Sequence, residues 1–369
     1  MNYRVFTSES VCAGHPDKIC DHISDAVLDE ALKVDPYAHT GIECLVTTNK
    51  IIVSGEIKTK AKLNYEVIAR KVVKGLGYNK PIYHFDYQTA DVEVLVHQQS
   101  PDIALGVDPG GAGDQGMMFG YACTETSQLM PLPIMLAHEL VEKMDELKES
   151  EFSYLRPDGK SQVVVRYEKG KPVAVETVVL AKPHDPKVKK DQVKKDLFKS
   201  VVLPILEKYK QKPITIKKLI LNGTGKWEIG GPHSDNGETG RKIIVDSYGG
   251  MARVGGGCFS GKCPTKVDRT GAYAARFIAK NIVAAGLADR CEVQLAYVIG
   301  YRDPVAKAVE TFGTGKKSQK VIEDFAWSLL DCSVGGIIKG LDLLQPIYQK
   351  TAFYGHFGRD EFPWEKIVT

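Results

Sequence analysis

One order of elements recurs three times along the 369 residues: a helix, a β-hairpin and a second helix. In the first copy Ile19, Ile23, Val27 and Leu32 follow Pro16 at three-to-five spacing, near the helical repeat of about 3.6 residues. The β-rich runs TGIECLVTT and IIVSGEI meet at Asn49-Lys50 as a hairpin, and a helix over about Tyr65–Leu76 is stopped by Gly75 and Gly77. The second copy has a helix at about Ile134–Leu147, the runs SQVVVRY and PVAVETVVL, and a helix at about Gln192–Tyr209. The third has a helix at Ala272–Ala285, the runs CEVQLAYVIG and AVETFG, and a helix near Val321–Leu330. Short strands PIYHF and TIKKLILN are expected after the first two copies. Parallel βαβ units would need single strands between helices, and these are paired. The pattern predicts an α+β chain of three similar domains, 1–100, 110–229 and 230–369, with covering helices and several sheets meeting at a shared core.

Composition narrows the function. A net charge of +3 is too mild for a nucleic-acid surface. The lysines of Lys182–Lys199 alternate with acids and read as a solvated helix face. Asp21, Asp25 and Asp29, at i, i+4 spacing on the first helix, likewise read as a wet face. No stretch has the length of a membrane span, and the N-terminus lacks the apolar core of a signal peptide. Eight cysteines contain no CxxC pair, so reduced thiols and a cytoplasmic location are expected. Cys258 and Cys263 have the wrong spacing for a metal pair.

The glycines carry the chemistry. GGMARVGGGCFSGKCPTKVDRT, residues 249–270, combines six glycines with Arg253, Lys262, Lys266 and Arg269. Glycine lets backbone N–H groups approach a phosphate, and the cations neutralise it. GGCFSGK fits the phosphate-loop pattern G-x-x-x-x-G-K, but Cys263 stands where that loop needs Ser or Thr for magnesium. The alternative is a broader polyphosphate site joined by Arg241 and Lys242. Asp17 and Asp268, each beside basic residues, are candidate oxygen ligands for a divalent metal. Asp17 also suits a helix start, and His15 a helix cap or a core histidine.

FTSESVCAGHPDK, GAGDQGMMFGYA, GGPHSDNGETGRKIIVDSYGGMA, the run from KVDRTGAYAAR to NIVAAGLADR, and YGHFGRDEFPWE resemble S-adenosylmethionine synthetases, in order, from Phe6 to Glu365. The resemblance implies three α+β domains around a pseudo-threefold axis. It also implies a homotetramer, a dimer of dimers with active sites at the dimer interface. The implied reaction converts ATP, L-methionine and water into S-adenosylmethionine, phosphate and pyrophosphate, with two Mg²⁺ and one K⁺ per site. His15, Lys160, Arg241, Lys262 and Lys266 would be catalytic. ATP would meet His15, Asp158, Lys160, Lys226, Trp227, Asp235, Arg241, Lys242, Cys258 and Lys262. Methionine would meet Glu56, Gln99, Asp235 and Lys266. Asp17 and Asp268 would hold Mg²⁺, Glu43 would hold K⁺, and Asp114 would come from the partner subunit. The chain departs from the family at Cys258 (usually Ala), Cys263 (usually Asp), Lys226 (commonly Arg) and a short stretch at 104–111 that is often a longer covering loop.

Overall fold

The computed structural model describes residues 4–99 and 110–368; the stretch at 104–109 lies outside them. Three sheets are built around three antiparallel hairpins: β2 (His39–Thr47) with β3 (Lys50–Lys58), β6 (Lys160–Glu168) with β7 (Lys171–Ala181), and β10 (Arg290–Tyr297) with β11 (Ala306–Glu310). Against each hairpin lies one long buried helix. These are α1 (Pro16–Leu32) on the first, α3 (Leu132–Glu149) on the second and α7 (Val267–Ala284) on the third.

Each sheet also takes a strand from another part of the chain. β1 (Val5–Val11), which precedes α1, pairs antiparallel with β6. β5 (Gly116–Cys123), which precedes α3, pairs with β10. β9 (Gly237–Glu238), at the head of the long segment leading through the short α6 (Ile243–Asp246) to α7, pairs with β2. The exchange runs in a ring, so every strand-to-long-helix connection crosses from one sheet to the next.

The first two hairpins carry a crossover helix and a parallel strand. α2 (Tyr65–Gly75) leads to β4 (Asp91–Gln98), which lies parallel to β3. α4 (Lys190–Leu197) continues through a π turn, Phe198–Val202, into α5 (Leu203–Lys208) and then β8 (Leu219–Leu221), parallel to β7. Pro204 lacks the N–H an α turn would use, and the wider turn accommodates it. PIYHF is not a strand. Pro81–Tyr83 forms a 3₁₀ turn and His84 is left-handed (φ 50°), while β4 supplies the edge strand further on. TIKKLILN shortens likewise to a 3₁₀ turn at Ile216–Lys218 and the three residues of β8.

α1 overturns the wet-face reading. All of it except Glu30 is buried, between β2, β9, α2 and the turn at Gln349–Ala352. Asp21 accepts from the Gly240 N–H at 2.8 Å and pairs with Lys18 at 2.9 Å. Asp25 accepts from the Gly261 N–H (2.8 Å) and both guanidinium arms of Arg269 (2.7 and 2.8 Å). Asp29 accepts from the N–H groups of Tyr348 and Gln349, each at 2.9 Å. Buried acids are tolerated when they are hydrogen-bonded or paired: both oxygens of Asp25 and Asp29 have donors, while Asp21 Oδ2 has only the Lys18 ion pair. Lys182 is a second correction. It is fully buried, 3.2 Å from Asp145 and 3.1 Å from the Cys12 sulfur, whereas Lys187, Lys189, Lys195 and Lys199 are exposed.

Candidate active site

Two of the three crossing connections hold His15, Arg241, Lys242, Cys258, Lys262 and Lys266, with Asp17 and Asp268 in the first turns of the helices they lead to. In the first, Cys12 donates its N–H to Gly159 (2.9 Å), placing the chain turn beside Asp158 and Lys160. His15 caps α1, its Nδ1 accepting from the Asp17 N–H at 3.2 Å, with Pro16 in the first turn. Because Nδ1 accepts, the ring proton sits on Nε2. Burial, then Lys242, Lys160, Lys18 and Arg241, push the His15 pKa well below its ordinary value, so the imidazole is neutral. Asp17 accepts from the Glu238 N–H (3.0 Å), is paired with Lys242, and stands 3.8 Å from Arg241.

The second connection is the glycine strip. Gly261 has φ +80° and lies so close to β2 that a Cβ would fall on the Ile42 carbonyl oxygen. Thr40 Oγ1 donates to the Gly261 carbonyl (2.9 Å), and Cys263 N–H donates to the Thr40 carbonyl (3.3 Å). With its backbone so fixed, Lys262 pairs with Asp268 in the first turn of α7. Burial works against the Lys262 charge, but Asp268 and Cys258 outweigh it and the pKa is raised. Asp114 neighbours Asp268; burial and this second acid raise the Asp268 pKa against the pull of Lys262. Lys266 reaches Glu56 on β3 at 3.2 Å. The phosphate-loop alternative fails here. Such a loop wraps a helix N-terminus at its lysine, but this run is stitched to β2 and the helix begins only at Val267.

Family models match the chain in three consecutive pieces: S-adenosylmethionine synthetase, N-terminal domain, over residues 3–101; central domain, 109–227; C-terminal domain, 229–366. The chain belongs to the S-adenosylmethionine synthetase family. It is accordingly an enzyme, a transferase of the methionine adenosyltransferase type.

The synthetase fold gathers the expected residues into two neighbouring groups. His15, Asp17, Lys160, Arg241 and Lys242 form one; Asp114, Lys262 and Asp268, with Lys266 and Glu56 nearby, form the other. Cys258 joins them: it packs against Gly240 and interacts electrostatically with Lys262, Asp268 and Glu43. Gln99 follows β4 and donates its N–H to the Ile57 carbonyl (3.1 Å), beside Glu56, while its buried Oε1 has no partner. Lys226 and Asp235 are exposed on the segment before β9, and Trp227 is half-buried there, its carbonyl accepting from His184 (3.1 Å). Asp158 is buried and accepts from the N–H groups of Gly159 (2.7 Å) and Gly231 (2.8 Å), so it holds the entry to that segment.

Cys263 is fully buried in the core, its thiol 3.3 Å from the Thr265 hydroxyl. The Lys262 side chain is only 17% exposed. Sequence reading missed Arg269 and the buried acids of α1 as parts of this architecture. The signal available was the acids' own i, i+4 spacing.

No cluster of three or more His, Cys, Asp or Glu is gathered among the described residues. Mg²⁺ does not require one, since it is commonly held by one or two carboxylates plus substrate phosphates and water. Asp17 and the Asp114–Asp268 pair are such hard-oxygen donors, held by lysines a phosphate would attract away. Glu43 is an exposed carboxylate on β2 with no ion pair among the described residues, which suits a monovalent cation. No helix among them is long and apolar enough to cross a membrane.

Proposed function

We propose that this chain joins ATP and L-methionine, with water, into S-adenosylmethionine, phosphate and pyrophosphate. The carrying observation is the pairing of Lys242 with Asp17 and Lys262 with Asp268, cations arranged around hard-oxygen acids. A magnesium-bound triphosphate satisfies both members of each pair.

The methionine sulfur attacks C5′ of the ribose, the C5′–O bond breaks, and the triphosphate leaves with the electron pair. Water then cleaves the triphosphate before release. A thioether has no proton to lose, so the attack needs no base; the demand is for charge stabilisation at the leaving group. Lys160, Arg241, Lys242 and Lys262 meet the phosphate oxygens. His15 offers its Nε2 proton toward the breaking ester oxygen without adding charge. Glu56 and Gln99 orient the amino-acid end of methionine with Lys266 and Asp235, while Trp227 and Lys226 lie along the adenosine side.

Mg²⁺, two per site, would be held by Asp17 and Asp268, and K⁺, one per site, by Glu43; when bound they neutralise phosphate charge. The enzyme assembles as a homotetramer, a dimer of dimers, with Asp114 serving the site across the dimer interface. Exposed Val94 and Leu95 on β4 and Met117 on β5, edge strands of two sheets, are apolar surface that a partner subunit would cover. Its eight unpaired cysteines suit the cytoplasm.

Mass-spectrometric analysis after incubation with ATP, methionine and Mg²⁺ tests the proposal. S-adenosylmethionine with phosphate and pyrophosphate is expected; ADP formed without methionine would reject it.

A further inference from the structure

The turn that delivers His15 is held from several directions. Cys12 N–H donates to the Gly159 carbonyl (2.9 Å), Ala13 N–H to Asp145 Oδ2 (2.9 Å), and His15 N–H back to the Cys12 carbonyl (3.0 Å). The Gly14 carbonyl, the other end of the Gly14–His15 peptide, accepts from the Tyr78 hydroxyl at 2.5 Å. The peptide that enters His15 is therefore fixed at both ends, once by its own turn and once by a side chain from outside it.

Tyr78 stands just past α2, where Gly77 (φ +92°) turns the chain. Its ring is buried and lies edge-on to Tyr83 (centroids 5.8 Å) and Phe85 (5.3 Å). Gly231 closes over the hydroxyl: a Cβ there would come within 2.4 Å of the Tyr78 oxygen. Gly14 in turn lies against Pro157, whose carbonyl oxygen a Cβ would meet at 2.7 Å. Burial, then Asp158, Cys12 and Asp145, push the Tyr78 pKa well above its ordinary value, so the hydroxyl keeps the proton it donates. A buried phenol commonly finds some acceptor; this one has the carbonyl next to His15.

We propose that Tyr78 is a positioning residue for the reaction: through the Gly14 carbonyl its hydroxyl sets the plane of the Gly14–His15 peptide, and so the direction in which His15 presents its Nε2 proton. Turning that peptide changes the His15 φ, now −64°, and carries the imidazole with it. The bond from the Asp17 N–H to Nδ1, at 3.2 Å, lies at the long end of the range and restrains the ring less. Misplacing a reacting group by about 1 Å costs up to ~10²-fold in rate. The inference rests on the reading of His15 as the donor to the breaking ester oxygen.

The test is a double-mutant cycle of Tyr78→Phe with His15→Asn, beside a crystal structure of Tyr78→Phe. Phenylalanine keeps the ring in its cluster and removes the donor; asparagine removes the imidazole but still caps a helix. Tyr78→Phe should lower kcat for S-adenosylmethionine formation about tenfold, with KM for ATP and methionine changed less than about twofold. On the His15→Asn background the same change should cost less than about twofold. Replacing Tyr78 with para-aminophenylalanine, which restores a donor, should recover most of the lost rate.

A merely structural role would cost as much with His15 gone, so an equal loss on that background would overturn the proposal. An unchanged kcat in Tyr78→Phe, or a loss that follows unfolded protein in a thermal melt, would overturn it too. If Tyr78→Phe does not fold, para-fluorophenylalanine, nearer tyrosine in size and without a donor, takes its place in the cycle. The crystal structure reads the geometry without reference to turnover: the His15 ring should be displaced, and an unmoved ring would overturn the proposal. A displaced ring in a protein whose wild type forms no S-adenosylmethionine would sustain the positioning of His15 and reject the activity.

Discussion

Replacing Lys262 with methionine separates the chemistry of the strip from its folding. Its ammonium is largely withdrawn from water, its backbone is held on both sides by β2 and by the Asp25–Arg269 pair, and its partner is a carboxyl already crowded by Asp114. A preorganised donor in such a setting contributes on the order of 10²–10³ in kcat, about 3–4 kcal/mol. Methionine keeps the stem and removes the charge. Asp268 then loses its cation, but a carboxyl whose pKa is already raised takes up a proton, so the stability cost is about 1–2 kcal/mol. At about 2.1 cal/mol/K per residue, a chain of this length shifts Tm by only about 1–3 °C. KM for ATP should change less than about threefold, because the contact strengthens as the leaving group gains charge. Single-turnover quench with mass-spectrometric quantification, beside a thermal melt, reads both effects. A kcat within threefold of wild type, or a loss that only follows unfolded protein, would refute this reasoning.

Three further outcomes follow from the packing. Glu365→Gln should lower Tm by about 4–6 °C, because breaking a buried ion network costs about 3–5 kcal/mol. Glu365 accepts from Arg276 (2.9 and 2.8 Å), Lys280 (2.9 Å) and the Gly358 N–H (2.9 Å). Burial alone would raise its pKa, yet Arg276 and Lys280 hold it below the ordinary value. Its stabilisation is thus complete above about pH 4.3 and fades as pH falls through the lower folded value. Melts of wild type and variant should converge in acid, and a constant gap would contradict the assignment. Neutral His15 predicts no His15-dependent inflection in kcat/KM between pH 6 and 8; one near 6.5 that His15→Asn removes would count against it. At Gly257 a Cβ would fall on the Asp268 carboxyl group, so Gly257→Ala should raise the Mg²⁺ concentration for half-maximal rate several-fold. An unchanged Mg²⁺ titration would remove Asp268 from the metal role.

Local periodicity exposed much of the fold. The hairpins and long helices obey repeats of two and 3.6 that each segment carries alone, as in α1 behind Pro16 and in β6 with β7. The ring of exchanged strands left no local mark, since β1, β5 and β9 are defined by partners far along the chain. Burial of Asp21, Asp25 and Asp29 was hidden for the same reason: a charged stripe looks wet until distant segments deliver donors to it. Lys182 is the same case with a cation. PIYHF failed because Pro81 and a left-handed His84 turn a β-rich composition into a tight turn. At the site, the glycine–cation composition announced phosphate, whereas the pairing of each lysine with its own aspartate needed the tertiary structure.

The central claim is that the strip from Gly249 to Thr270 and the Arg241–Lys242 pair hold the triphosphate tail. A crystal structure with the non-hydrolysable imido analogue of ATP, Mg²⁺ and methionine measures this directly. The account predicts phosphate oxygens at about 2.7–3.2 Å from the Lys262 and Lys242 ammonium groups, drawn off Asp268 and Asp17. A nucleotide whose phosphates run outward into solvent, with both lysines still on their aspartates, would contradict it.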